Sequence, residues 1–95
     1  MPYAFVAQVE FQEGSDPEMG QKMLETDVVP LVKSQAGFQK GIWFRNIDGK
    51  TGIGTAVFDT AANAKAAGEA LRAQPRAAEQ PQIVAAGVYE VVAEA

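Results

Sequence analysis

FQKGIWFRNIDGKTGIGTAVF, residues 38–58, decides the fold. Two runs of β-branched and aromatic residues flank Asp48-Gly49, a two-residue hairpin signal, so residues 38–47 and 50–58 read as paired strands. Centred on that turn, Ile47 faces Lys50, Arg45 faces Gly52, Phe44 faces Ile53 and Trp43 faces Gly54. Alternation then sorts the side chains. One face holds Ile42, Phe44, Ile53, Thr55 and Val57. The other holds Trp43, Arg45, Gly52, Gly54, Ala56 and Phe58.

Upstream, residues 3–11 alternate with Tyr3, Phe5, Ala7, Val9 and Phe11 on one strongly apolar face. Asp16 is a helix N-cap with Pro17 in the first turn. The helix that follows carries Met19, Met23, Leu24, Val28, Leu31 and Val32 on one stripe. Pro30 removes the N–H that would bond the Thr26 carbonyl and predicts a kink, and Gly37 ends the helix in the left-handed region. Downstream, Asp59 or Thr60 caps a second helix from Ala61 to about Ala73, closed by Pro75. Its inward stripe is Ala64, Ala67, Gly68 and Leu71. Residues 76–82 read as a loop and 83–92 as a last strand, apolar on both faces.

The order β-α-β-β-α-β is the split βαβ unit, so the expected class is α+β. It is a ferredoxin-like βαββαβ with a four-stranded antiparallel sheet, one domain over residues 1–95. Two helices cover one sheet face, yet both faces carry large apolar side chains. Burying each of these contributes roughly 1.5–3 kcal/mol, so a homodimer packed sheet face to sheet face is expected. The competing arrangement is a monomer whose termini or 76–82 loop fold over the sheet.

Composition removes much chemistry. The 95 residues include no cysteine and no histidine, which leaves no disulfide, no thiol nucleophile and none of the usual zinc or haem ligands. Twelve acidic against eight basic residues, net charge −4, argue against nucleic acid or an anionic membrane as partner. No apolar run approaches the roughly 20 residues of a spanning helix, and the N-terminus lacks the basic lead of a signal peptide, so a cytoplasmic protein is expected. No metal ligand spacing is apparent. Gly49-Lys50-Thr51 has Phe44 where a phosphate loop needs glycine, and Gly52-Ile53-Gly54 has Val57 where a dinucleotide fingerprint needs one. Glu25, Asp27 and the Glu18–Lys22 pair read as a solvated helix face.

Val29-Pro30-Leu31-Val32 before Ala36-Gly37-Phe38, the Asp48-Gly49 hairpin, and Val57-Phe58-Asp59-Thr60-Ala61 leading into an alanine-rich helix carry a family resemblance. Over essentially its whole length the chain resembles the dimeric α/β-barrel superfamily, in its antibiotic-biosynthesis-monooxygenase-like branch. The resemblance implies a ferredoxin-like protomer, a homodimer with a shared barrel, and a pocket between sheet and helices. Its members include cofactor-free oxygenases of polyphenols and quinols, haem-degrading enzymes, and proteins with no known activity. Phe58 stands where members often have tryptophan, and alanines around Ala66 and Ala67 where they often have histidine. Haem breakdown that uses this histidine as iron ligand is therefore not expected. The nearest match to an asparagine that assists oxygen chemistry on the first strand is Gln8.

Trp43 with Arg45, Phe58, Met23 and Leu71 forms the candidate ligand site. It reads in two ways. Trp43 lies across the strand glycines and simply fills their space, or it lines an apolar pocket in which Arg45 orients a carboxylate, phenolate or enolate. The second reading gives binding or cofactor-independent oxidation of a small aromatic or quinone-type molecule, with no metal or flavin. The first gives a non-catalytic binding or structural dimer. An isomerase or lyase acting through Arg45 on an enolate is a third reading. Arg45 can equally be a solvated partner of a carboxylate. Tyr3 and Tyr89 are assigned to packing at a strand end or dimer seam, and Met19 and Met23 to the core, although flexible methionines also suit a pocket.

Overall fold

The computed structural model describes residues 1–14, 16–74 and 81–95. Along the chain run β1 (Tyr3–Glu10), α1 (Pro17–Met23), a π-helical turn (Leu24–Val28), α2 (Val29–Lys33), β2 (Phe38–Arg45), β3 (Thr51–Phe58), α3 (Ala61–Ala73) and β4 (Gln82–Glu90). The strands form one antiparallel sheet in the order β2-β3-β1-β4, the ferredoxin-like arrangement. Pairing of Trp43 with Gly54, Phe44 with Ile53 and Arg45 with Gly52 follows the hairpin register.

The turn itself is wider than two residues. A two-residue type I′ turn needs positive φ at both central positions, and here only Gly49 has it, at +75°. The chain instead closes with the Gly49 N–H donating to the Asn46 carbonyl at 2.8 Å. Asn46 Oδ1 accepts from the Asp48 N–H at 3.1 Å, and Asp48 Oδ1 from the Lys50 N–H at 2.8 Å. The strands therefore stop at Arg45 and Thr51 with their register unchanged.

The first helix departs further from a simple kink. Asp16 caps it as expected, accepting the Glu18 N–H at 3.0 Å. Pro30 offers no donor to Thr26, and the five residues before α2 widen into the π turn, with the Val29 N–H reaching back to the Leu24 carbonyl. Pro30 then sits at the start of α2, where its missing N–H costs little. Neither α1 nor the π turn buries a residue, and Met19, expected on the apolar stripe, is half exposed. Only Val32, on α2, is fully inserted.

Under α2 and α3 lies a small core of Val32, Ala56, Phe58, Ala64 and Ala67, with Tyr3, Val28, Phe38 and Trp43 packed against it. Thr60 caps α3 through the Asn63 N–H at 3.1 Å, and Ala64, Ala67 and Gly68 let it lie close to the sheet. At Gly68 a Cβ would collide with the Phe5 ring. Gly37 ends the α2 connection at φ +79°. Gln74 is extended, as the residue before a proline must be; of the 76–82 loop, residues 76–80 lie outside the described residues, as does Pro75, and Gln82 already belongs to β4.

The opposite face has no helix. Ile42, Phe44, Ile53 and Tyr89 are 38–59% exposed there. One end of this face is nonetheless covered. Past β4, the Val91 N–H bonds the Pro2 carbonyl and Glu94 reaches Lys40 on β2 at 2.8 Å. The tail thus crosses from one sheet edge to the other, over Ala4 and Val57, which are buried although no helix lies on their side. The ladder slips twice, once at Gln39 on β2 and once at Val84 on β4, each an extra residue on an outer strand.

Candidate functional site

Two rings lie flat on the helix-side face of the sheet because three glycines make room for them. Trp43 stands opposite Gly54 and two residues from Gly41 on its own strand. A Cβ on Gly41 would come within 2.8 Å of the far edge of the indole, and one on Gly54 within 2.8 Å of its near edge. The ring therefore stretches from one glycine to the other. Phe11 does the same over Gly52, where an added Cβ would stand 3.0 Å from the Phe11 ring. Gly41 and Phe11 escaped the sequence reading. The three glycines outnumber the space one tryptophan needs, and that mismatch was the available signal.

Above this aromatic floor the helices stand away from the sheet, leaving a cavity of about 600 Å³. Met23, Leu24, Leu71 and Ile83 are among the residues that line it. Such a volume is ordinary for a small-molecule site. Trp43 thus fills the glycine gaps and also lines the cavity.

Polar groups reach the cavity at its margins. Arg45 sits on β2 with its guanidinium carbon 5.8 Å from the Phe11 ring centre, in cation–π range, and Nη2 donates to the Pro17 carbonyl at 3.1 Å. Glu25 and Asp27 also line the cavity, although both are exposed and looked like a solvated helix face. Glu25 Oε1 accepts the Gln21 side-chain amide at 3.2 Å. Among the described residues no cluster of three or more acidic side chains is placed to hold a metal ion.

The structure thus brings Trp43, Arg45, Met23 and Leu71 to one cavity. Phe58 is elsewhere. It lies four residues along β3 from Gly54, roughly 13 Å at the rise of a strand, fully buried and edge-on to Phe38 with ring centres 5.9 Å apart. Gln8 pairs with Ile53 and Ala85 and belongs to the face without helices, whereas its neighbours Ala7 and Val9 line the cavity. Tyr3 packs against the core, and Tyr89 is exposed on the open face.

The fold is shared with solved proteins over its whole length. The chain is similar to the N63A mutant of SnoaB, a cofactor-independent oxygenase from Streptomyces nogalater. TM-score is 0.69 and identity 14%, over 98% of this chain and 95% of that one. It is similar to the heme-degrading protein Rv3592 from Mycobacterium tuberculosis, with TM-score 0.62 and 19% identity over 100% and 99%. It is also similar to an EthD family protein from Bacillus halodurans, with TM-score 0.63 and 14% identity over 97% and 100%. No protein-family model and no curated protein matches the sequence. The chain therefore shares the ferredoxin-like fold of these proteins. No helix among the described residues is long and apolar enough to cross a membrane.

Proposed function

We propose that this protein, a single domain over residues 1–95, is a cytoplasmic, homodimeric, monooxygenase-like protein. It binds a small planar aromatic or quinone-type molecule on the Trp43 floor and oxidises it without a cofactor. The carrying observation is the flat Trp43 ring beneath a mostly apolar cavity of about 600 Å³. A planar ligand there can stack on the indole face, gaining roughly 0.5–1.5 kcal/mol beyond simple burial. The similarity to an oxygenase described as cofactor-independent supports the reaction class. Haem suits this site less well, because the chain has neither histidine nor cysteine to offer its iron.

The chemistry asked of the protein is modest. A substrate whose methylene or hydroxyl ionises readily can pass electrons directly to dioxygen. For a methylene, the C–H bonds give way to a carbonyl, one oxygen atom stays on carbon and the other leaves as water. Apolar walls face the ring of the anion, and the exposed Arg45 guanidinium at the cavity margin stabilises its negative charge. Oxygen uptake with hydroquinone and anthrone tests this reading. Wild type should consume oxygen, and Trp43→Ala and Arg45→Ala should each lose most of that rate. No uptake with either compound, together with unchanged Trp43 fluorescence, overturns it.

The homodimer rests on the face that carries Ile42, Phe44, Ile53 and Tyr89. The C-terminal tail covers only the Ala4–Val57 end and leaves these four open. Covering them would contribute several kcal/mol, at about 1.5–3 kcal/mol for each large side chain. Sedimentation equilibrium at low micromolar concentration should give twice the 10.1 kDa chain mass, and Phe44→Asp should give the single chain. Wild type sedimenting as the single chain would remove the dimer.

A further inference from the structure

The cavity is not electrically uniform along its length. We infer that it takes a planar aromatic acid in one orientation, with the anionic group at Arg45 and hydroxyl or amino donors at the Glu25–Asp27 end. This rests on the aromatic-ligand reading above and names the class of ligand within it.

At one end, Arg45 is held in place on two sides, by the Phe11 ring at 5.8 Å and by the Pro17 carbonyl at 3.1 Å. A guanidinium carries five N–H donors, and among the described residues that carbonyl is its only hydrogen-bond acceptor. Among them no carboxylate lies within ion-pair distance of it either; their one salt bridge is Lys40–Glu94. Among the described residues Arg45 is therefore a positioned, exposed cation with donors to spare at the margin of a mostly apolar cavity. That arrangement suits a carboxylate or an acidic phenol, which the fork of donors can meet in pairs.

The other end has the opposite sign. α1 starts at Pro17, beside Arg45, and Glu25 follows eight residues later, roughly 12 Å along a helix. Glu25 and Asp27 bring two carboxylates to the cavity there. Ionised carboxylates only accept hydrogen bonds, and Glu25 already accepts one from Gln21. A ligand's hydroxyl or amine satisfies this end, while an anion is repelled. Trp43, Met23 and Leu71 also line the cavity, with Gln21, whose amide is bonded to Glu25, and Gln74 as its neutral polar groups, and none of these supplies a second cation that would reward a reversed ligand. The chain's net charge of −4 gives no general attraction for anions, so selection for an acid must come from Arg45 itself.

Three probes with one ring system separate these contributions by titration calorimetry: 6-hydroxy-2-naphthoic acid, 2-naphthoic acid and 2-naphthol. In wild type the hydroxy acid should bind about tenfold tighter than 2-naphthol, the value of one charge-assisted hydrogen bond. It should also bind severalfold tighter than 2-naphthoic acid. Arg45→Gln should erase the advantage of the acid over 2-naphthol. The double variant Glu25→Gln/Asp27→Asn, at two exposed positions, should erase the advantage of the hydroxyl and leave that of the acid. Equal affinities for the three probes in wild type overturn this inference alone. So does a uniform loss in Arg45→Gln, which would make Arg45 only a tether for α1. No binding of any probe overturns the aromatic-ligand reading with it.

Discussion

At the Phe58 end of the sheet, α3 descends on Ala64, Ala67 and Gly68 and meets Phe58 with no space between, leaving that ring fully buried. At the Trp43 end of the same face, α1 and the π turn have no fully buried residue, only half-buried ones such as Met23, Leu24 and Val28, and they border a cavity of about 600 Å³. Both ends present aromatic rings on one sheet face. They differ in where the small residues lie. Under α3 the glycine and alanines are on the helix, so the helix approaches the sheet. Under α1 the glycines are on the strands, so the rings sink into the sheet and the helix stays away. Placing small residues on one partner or the other decides between a core and a pocket.

The largest effect should separate the two rings. Phe58→Ala should cost about 3–5 kcal/mol in urea denaturation, the usual range for deleting a buried phenyl. Trp43→Ala, which removes a larger ring that is only partly buried and faces a void, should cost less than half of that. Equal losses would show that the Trp43 end is packed as tightly as the core. A finer test adds one methyl at each end. Gly68→Ala drives a Cβ into the Phe5 ring and should cost about 1–3 kcal/mol. Gly54→Ala drives one into the indole, which has the cavity to rise into; it should cost under about 1 kcal/mol and shift the tryptophan emission. The smallest effect is a gain. Gly20 lines the cavity with nothing within 4 Å of an added Cβ, so Gly20→Ala should stabilise by about 0.5–1 kcal/mol. A rise of a few degrees in Tm would follow for a domain of this size. A loss instead would place α1 against the sheet.

Much of the architecture was legible because it depends on short-range chemistry. Asp16 and Thr60 could be assigned as caps from their own neighbours. Gly37 is at φ +79° where a helix had to end. The Trp43–Gly54 register follows from alternation about the turn. The features that define the cavity were harder to read because they belong to no single element. Pro30 announces a disturbance but not the π turn that absorbs it. Phe11 looks like the last residue of a strand until Gly52, on another strand, vacates the space beneath it. Phe58 alternates correctly with Trp43, so both were assigned to one site. Sharing a face says nothing of distance along the strand, and that distance puts one ring in the core and the other in the pocket.

The two extra residues, Gln39 on β2 and Val84 on β4, fall on the two strands that have a neighbour on one side only. An unbroken outer strand offers a row of free N–H and C=O groups on which a strand from another molecule can zip. Here that row goes out of step near one end of each border, beyond residues 40–45 on β2 and 85–90 on β4, which keep a single register. The two bulges thus blunt sideways pairing at one end of each outer strand.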